Sequence, residues 1–244
     1  MDVLKKIFRF FVSLRTALWL LSGIVFMLLY GSFIMPSREE FQALQTTPLF
    51  EWLAESPPGI TWWLFASIVI LSFLTANTLL CSLDSLVRKR GSRNWLLTIS
   101  PQVIHIGFLF ILLAHLLSSY DSFQGMTEAT KGTSIQLPNG VIALFDDIRT
   151  DIDPAGFIND WSADVRYFRD GRELASDSLR PNSPSFIEGL SLYIKTVRFE
   201  PFPTALIQIS RDPGAPWALA GGVLFLIGMI TLLLLKIKKE EAAD

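Results

Sequence analysis

The chain has two histidines, His105 and His115, and both lie in an apolar stretch that covers residues 101–120. An ionisable side chain in the hydrocarbon of a membrane is costly, so a histidine within a membrane span is by default a functional residue. A neutral imidazole is also the form that binds a metal or haem iron. On a helix the two rings would stand ~15 Å apart along the axis and about 80° apart around it. They cannot bind one iron from opposite sides, so they are separate sites or only one of them is a site.

The apolar stretch is long enough for a membrane span, since ~20 residues at ~1.5 Å each cover the ~30 Å of hydrocarbon. Ser100 followed by Pro101 is typical of a helix N-cap and a first helical residue. A helix that begins at Pro101 places His105 in its second turn, near the positive end of the helix dipole. That end disfavours imidazolium, so the sequence predicts a neutral His105 with a free lone pair.

Apolar blocks elsewhere predict a polytopic α-helical membrane protein, because 50% of the residues are hydrophobic and they are concentrated in such blocks. The predicted transmembrane spans are residues 16–35, 61–83, 101–120 and 215–235. Basic residues cluster before the first span, between the second and third, and after the fourth: Lys5, Lys6, Arg9 and Arg15; Arg88, Lys89, Arg90 and Arg93; Lys236, Lys238 and Lys239. Basic loops stay in the cytoplasm. Residues 1–15, the loop 84–100 and the tail 236–244 are therefore predicted to be cytoplasmic, the first as an interfacial segment.

Two segments are predicted to lie outside the cytoplasm. Residues 36–60 form a loop with a short interfacial helix, which follows Thr47-Pro48 and ends at Pro57-Pro58-Gly59. Residues 121–214 form an inserted all-β domain, either a small antiparallel sheet or a sandwich. Its candidate strands are residues 135–137, 141–145, 164–168, 191–199 and 204–210. Asp170-Gly171 is typical of a tight hairpin turn.

Small and aromatic residues in the spans predict packing. Ala218, Gly221, Gly222 and Gly228 give the fourth span a small-residue face that suits close contact with another helix of this chain or of a partner. Interfacial belt residues are predicted at the outer ends of the second and fourth spans (Trp62, Trp63 and Trp217) and near the inner side (Trp19).

The remaining residues with reactive side chains predict no self-contained enzyme and no catalytic residue. Residues 121–214 contain neither histidine nor cysteine, which excludes the usual zinc sites and histidine-based triads there. Cys81 is the only cysteine, so no disulfide or CxxC pair forms within the chain, and a lone cysteine in an apolar helix is more typical of a small buried hydrophobe than of a ligand. No glycine-rich phosphate loop occurs, and no nucleic-acid partner is predicted.

One acidic cluster contains Asp146, Asp147, Asp151 and Asp153. Its spacing differs from the alternating pattern of a calcium-binding loop. A solvated acidic turn is the favoured interpretation.

The whole pattern resembles the ResB-type cytochrome c biogenesis proteins of system II. The order of four spans around an inserted β domain is the specific part of the resemblance. The stretches that carry it are Ser13-Leu14-Arg15-Thr16-Ala17, His105-Ile106-Gly107-Phe108-Leu109, Gly132 to Gly140, Asp170-Gly171, Pro181 to Tyr193 and Asp212-Pro213-Gly214.

The resemblance implies a membrane subunit of a haem-lyase complex in the bacterial cytoplasmic (inner) membrane, not catalytic alone. With a multi-span ResC/CcsA-type partner it would move haem b outward and assist its attachment to the CXXCH cysteines of apocytochromes c. His105 matches the third-span histidine that is thought to ligate haem in the family. His115 is a weaker haem-binding candidate, and a hydrogen bond to a neighbouring helix or the interface is favoured for it. No metal other than haem iron is expected.

Two alternatives from other classes stay open. The chain could be a membrane-tethered scaffold whose outer domain binds apocytochrome or partner while the spans only pack, which fits the absence of histidine and cysteine from that domain. A carrier that uses the histidines as a proton relay is less favoured, since four spans without internal repeats or broken helices are unlike transporters.

Overall fold

The structure, a computed structural model, describes residues 9–88, 95–152, 158–198 and 201–241. The chain falls into two compact units, and we describe each by itself. The helical unit comprises Met1–Leu44, Leu49–Tyr120 and Gly214–Asp244, and the β unit comprises Gln45–Pro48 and Asp121–Pro213. Parts of the predicted amino-terminal segment, basic loop and tail lie outside the described residues, as does Asp153 of the acidic cluster.

The helical unit contains α1 (Leu14–Ile34), α2 (Leu49–Glu55), α3 (Pro58–Arg88), α4 (Trp95–Asp121) and α5 (Ala215–Glu241), with 3₁₀ turns at Met35–Ser37 and Glu39–Gln45. In the described part of the chain, α1, α3, α4 and α5 make up the four helices that are long and apolar enough to cross a membrane, as predicted. Large apolar side chains cover their outer surface: Trp19 is 74% exposed and Leu219 is 71% exposed. Such a surface is typical of a membrane protein and not of a water-soluble bundle.

The prediction that the helix of the third span begins at Pro101, with Ser100 as its N-cap, is wrong. Helix α4 begins at Trp95, and Pro101 lies inside it. The apolar residues before the proline extend the helix by more than a turn, and Ser100 donates its hydroxyl to the carbonyl of Leu96 at 2.7 Å instead of capping a helix start. A proline near the start of a helix removes one backbone hydrogen bond but does not end the helix when packing holds both sides.

Helices α4 and α5 meet backbone against backbone. The residues at the contact are small, buried and spaced by seven on each helix: Ser100, Gly107 and Ala114 on α4, and Gly214, Gly221 and Gly228 beside or on α5. A Cβ atom at Gly221 would lie 2.7 Å from the carbonyl oxygen of Gly107, and one at Gly107 would lie 2.6 Å from the backbone nitrogen of Phe225. Two turns of helix return to nearly the same face, so one stripe of small residues runs along each helix.

The predicted small-residue face of the fourth span is therefore confirmed in part. Gly221 and Gly228 pack within the chain, whereas a Cβ at Gly222 would meet open space and Ala218 is exposed.

Aromatic side chains join α1, α3 and the segment between them. Phe41, Trp52 and Trp63 are all buried and share one apolar cluster. The Trp63 ring lies so close to Gly31 of α1 that a Cβ there would stand 2.3 Å from it. Trp63 is only 2% exposed, so its prediction as an interfacial belt residue is wrong. The predicted short helix exists as α2, and its Trp52 donates Nε1–H to the carbonyl of Glu40 at 2.9 Å.

The β unit is a sandwich of two four-stranded antiparallel sheets. Its strands are β1 (Phe123–Thr130), β2 (Ser134–Gln136), β3 (Ile142–Ile152), β4 (Ile158–Arg169), β5 (Arg172–Leu179), β6 (Ser185–Ile187), β7 (Leu190–Arg198) and β8 (Thr204–Arg211). One sheet has the order β1-β8-β7-β6 and the other β2-β3-β4-β5. The core lies between them, with Phe145 and Tyr167 from one sheet and Leu192 and Ile207 from the other almost fully buried.

All five predicted strands are present, and so is the hairpin turn. Asp170 and Gly171 have φ values of 50° and 77°, the left-handed pair that a two-residue hairpin requires. The sequence analysis missed β1, β5 and β6. Their residues do not alternate between apolar and polar, and β5 is exposed on nearly every residue before Leu179.

A hydrogen bond between the sheets closes the sandwich at one side. Tyr167 of β4 donates its hydroxyl to Ser185 Oγ of β6 at 2.8 Å, and each residue is only 1% exposed. Burial raises the pKa of Tyr167 to about 12, despite the opposing effect of the bond to Ser185. The phenol therefore keeps its proton in the folded state well beyond the pH at which an exposed tyrosine loses it.

Gly221 and Gly222 give a matched pair of variants for the helix contact. We expect Gly221→Ala to lower the free energy of unfolding by about 1–3 kcal/mol, because its methyl group overlaps the α4 backbone. Gly222→Ala should leave stability unchanged or raise it by up to about 1 kcal/mol, since alanine favours a helix and meets open space there. Denaturation in detergent, followed by circular dichroism, measures both. Equal effects of the two substitutions would contradict the described contact.

Tyr167→Phe tests the bond between the sheets. At neutral pH we expect a loss of about 1–2 kcal/mol, because the buried Ser185 hydroxyl loses its partner. Between pH 10 and about 12 the unfolded wild-type chain releases the phenol proton while the folded chain keeps it. Wild-type stability should therefore fall over this range, and the fall should be smaller in Tyr167→Phe. The same pH dependence in Tyr167→Phe as in the wild type would count against this account.

Candidate functional site

His105 lies in the interior of α4 and contacts α3. Its Nδ1 atom is 2.8 Å from Ser82 Oγ, and the ring is half-buried. No hydrogen bond joins its Nε2 atom to any residue that the structure describes. One ring nitrogen is thus held by a neighbouring helix and the other is left without a protein partner.

The α4–α5 contact explains why His105 points toward α3. Gly107 packs against Gly221 of α5, and His105 stands two residues earlier on the same helix. At about 100° per residue, the two positions are about 160° apart around the axis. The face of α4 that carries His105 is therefore turned away from α5, where Ser82 meets it.

His105 does not lie near the positive end of the helix dipole, contrary to the prediction. Because α4 begins at Trp95, His105 is ten residues from the helix start, and the dipole acts mainly on the first turn. The interaction that acts on the ring is instead the bond to Ser82. For a metal-binding histidine, a hydrogen bond to the second nitrogen fixes the tautomer and the ring orientation.

A second polar group lies about one turn before His105. Gln102 is only 6% exposed, and its Oε1 atom has no hydrogen-bond partner among the described residues. On a helix it is about 60° from His105 and likewise faces away from α5. A buried acceptor without a donor is costly. The helix packing in the described residues leaves this oxygen without a hydrogen bond. The half-buried imidazole thus has one unengaged nitrogen and lies about one turn from an unpaired amide oxygen.

His115 does not form a common site with His105. It is exposed on α4 and forms no hydrogen bond within the part of the chain that the structure describes, so the predicted bond to a neighbouring helix is not seen there. The expectation that the two imidazoles do not share one iron agrees with their positions ten residues apart on a continuous helix.

Cys81 faces the amino-terminal segment. Its Sγ atom is 3.7 Å from the carbonyl oxygen of Phe11. Asn77, one turn earlier and 2% exposed, donates Nδ2–H to the same carbonyl at 2.6 Å and to that of Ser13 at 3.4 Å. Both carbonyls precede α1, and that of Ser13 also accepts the backbone N–H of Ala17 at 3.2 Å. Asn77 therefore fastens the residues that lead into the first span.

Sequence analysis missed Ser82, Gln102 and Asn77. The signal that could have found them is the same one that singled out the histidines, a polar side chain in an apolar helix. Serine gives that signal weakly, because its hydroxyl can bond to its own helix.

The acidic cluster forms ion pairs in the β unit. Asp146 and Asp147 lie in strand β3 at a bulge, so the predicted acidic turn is wrong. Arg166 donates to both Asp146 oxygens, at 2.5 and 2.7 Å, and these bonds lower the pKa of that carboxyl. Lys131 pairs with Asp147 at 3.2 Å. Among the described residues no three acidic, histidine or cysteine side chains come together as a metal site.

Comparison with known proteins identifies no family for the chain. No family model matches it, and no curated protein matches it. Among solved structures it is similar to "Cytochrome c Heme Lyase CcmF", with a TM-score of 0.46 and 16% sequence identity over 91% of this chain and 35% of that chain. The chain thus spans about a third of that protein. A likeness this low establishes neither a shared fold nor a shared activity, so the resemblance to ResB-type proteins stays a prediction.

The single cysteine reports on the contact made by Asn77. We expect Asn77→Ala to increase the rate at which N-ethylmaleimide alkylates Cys81 severalfold, because Phe11 then loses the bond that holds it over the thiol. Ser72→Ala is the control, since Ser72 Oγ bonds only within α3, to Ile68 at 2.8 Å. Mass spectrometry of the detergent-solubilised chain gives the rates. Unchanged alkylation in Asn77→Ala would show that this side chain does not hold the segment.

Proposed function

We propose that the chain is a membrane subunit of a system II cytochrome c biogenesis complex that binds haem b through His105. The observation that carries the proposal is the placement of His105 in an apolar helix, with Nδ1 on Ser82 and Nε2 without a described partner. The sequence around it also resembles the third-span motif of ResB-type proteins. The contact with Ser82 is a tertiary observation, whereas the resemblance rests on the residues around His105 in the chain.

In this function the residues of the chain bind and orient haem. His105 would supply an axial imidazole, α3 would hold the ring, and the apolar spans would keep water from the iron. Haem supplies the iron and the vinyl groups to which thioether bonds are made, and the apocytochrome supplies its own CXXCH thiols. The chain then needs no nucleophile, which agrees with the absence of histidine and cysteine from residues 121–214.

A multi-span ResC/CcsA-type partner and apocytochrome c complete the proposed complex. We place it in the bacterial cytoplasmic membrane, with both termini and the basic loop inside and residues 121–214 outside. The support is the distribution of Lys and Arg along the sequence. The β unit would then contact the apocytochrome or the partner on the outer side, where haem is attached.

The second candidate function is a membrane-tethered scaffold that does not ligate haem. The Ser82–His105 bond itself favours it, because an interhelical hydrogen bond in a membrane is a sufficient structural role for a histidine. The two functions differ in whether haem content depends on His105.

His105→Ala separates the two functions. Co-expressed and purified with its partner, the variant complex should carry at least about tenfold less haem b than the wild type, because the axial ligand is lost. His115→Ala and Cys81→Ala should keep wild-type haem content. The Soret absorbance per complex, with the pyridine haemochrome assay, measures all four. Wild-type haem content in His105→Ala would exclude ligation by this residue and favour the scaffold.

A further inference from the structure

We infer that Ser82 is a positioning residue for His105: its hydroxyl accepts a hydrogen bond from Nδ1–H, and this leaves the lone pair of Nε2 to bind iron. The inference rests on the proposed function, since it names the residue that prepares the same histidine. It is carried by the 2.8 Å contact between Ser82 Oγ and His105 Nδ1.

A neutral imidazole has one N–H and one lone pair, on different nitrogens. Two arrangements satisfy the observed contact. If Ser82 donates, the proton of the ring lies on Nε2, and that nitrogen cannot bind a metal. If Ser82 accepts, the proton lies on Nδ1 and Nε2 is a ligand. A hydroxyl can do either, so binding of iron at Nε2 selects the second arrangement without a change of partner.

Ser82 differs from five other hydroxyls of its helix in its hydrogen-bond partner. Five hydroxyls of α3 donate to the carbonyl four residues earlier: those of Thr61, Ser67, Ser72, Thr75 and Thr78. Ser82 instead bonds across to α4. A hydroxyl that leaves its own helix for an imidazole on another is a specific contact, because the local carbonyl is the usual acceptor for serine in an apolar helix.

The neutral character of Ser82 suits a site that must release its haem. A carboxylate that accepts from Nδ1–H makes the imidazole a stronger ligand, and it would bring a charge into the span. A hydroxyl orients the ring while adding no charge and less ligand strength. The expected consequence is a ligand that is held in place but binds iron with moderate affinity.

The test uses the complex with its partner, loaded with haem b, and three variants of this chain. Ser82→Ala removes the acceptor, Ser82→Thr keeps a hydroxyl at the same Cβ, and Ser72→Ala removes a hydroxyl elsewhere on α3. We expect haem affinity to fall about 10–100-fold in Ser82→Ala and the reduction potential of the remaining bound haem to rise, because a less basic imidazole stabilises ferric iron less. Ser82→Thr should restore both values, and Ser72→Ala should match the wild type.

A haem-free measurement tests the contact by itself. In the full chain with His115→Gln, His105 is the only imidazole, so its ¹⁵N signals report its tautomer directly. The ratio of the two neutral tautomers should change on Ser82→Ala and should not change on Ser72→Ala. This readout does not depend on whether haem binds.

The outcomes separate this inference from the proposed function. If His105→Ala loses haem but Ser82→Ala keeps the wild-type affinity and potential, the positioning role is wrong and haem ligation stands. Loss of haem in Ser82→Ala that Ser82→Thr does not restore also overturns the positioning role, as does an unchanged ¹⁵N spectrum. If His105→Ala keeps its haem, the proposed function itself fails, whatever the nitrogen signals show.

Discussion

The close approach of α4 to α5 is the contact on which the candidate site depends. Gly107 and Gly221 let the two backbones meet at distances that any side chain would prevent. In hydrocarbon there is no hydrophobic force between helices, so association depends on such packing and on interhelical hydrogen bonds. By fixing one face of α4 against α5, the small residues also fix the opposite face, which carries His105 and Gln102. The glycines at the α4–α5 contact therefore determine how α4 is rotated about its axis. That rotation in turn determines the direction of the His105 imidazole.

Polar side chains within the spans provide the second kind of constraint. Asn77 binds the carbonyls that precede α1, and Ser82 binds His105. Each of these bonds joins parts of the chain that the apolar surface alone would not orient, because lipid and leucine are equally apolar partners. In hydrocarbon a small number of polar contacts can therefore determine which helix faces which. Helix α3 makes both contacts, so it links the amino-terminal segment to the helix that carries the candidate haem ligand.

The β unit is stabilised in a different way. Its sandwich has an apolar core between two sheets, a buried Tyr167–Ser185 bond across them, and ion pairs on the outer surface. Arg211 and Asp121 pair at 2.8 Å where the unit begins and ends in the chain. Two residues of the acidic cluster, Asp146 and Asp147, pair with Arg166 and Lys131. The unit is therefore held together by an apolar core and by ion pairs at its surface, as a water-exposed domain is.

The sequence by itself determined the features that depend on neighbouring residues. Apolar runs of sufficient length predicted the four span-like helices, alternation predicted five strands, and Asp170-Gly171 predicted a hairpin, because each follows from local backbone preferences and burial. It also singled out His105, since an ionisable group in an apolar run is visible without a fold.

The tertiary structure alone decided where α4 begins, that Trp63 is buried, that Gly221 packs and Gly222 does not, and that Ser82 is the partner of His105. These depend on contacts between segments far apart in the chain. In a membrane helix the residues that face lipid and those that face protein are both apolar, so the sequence pattern does not reveal which face is which.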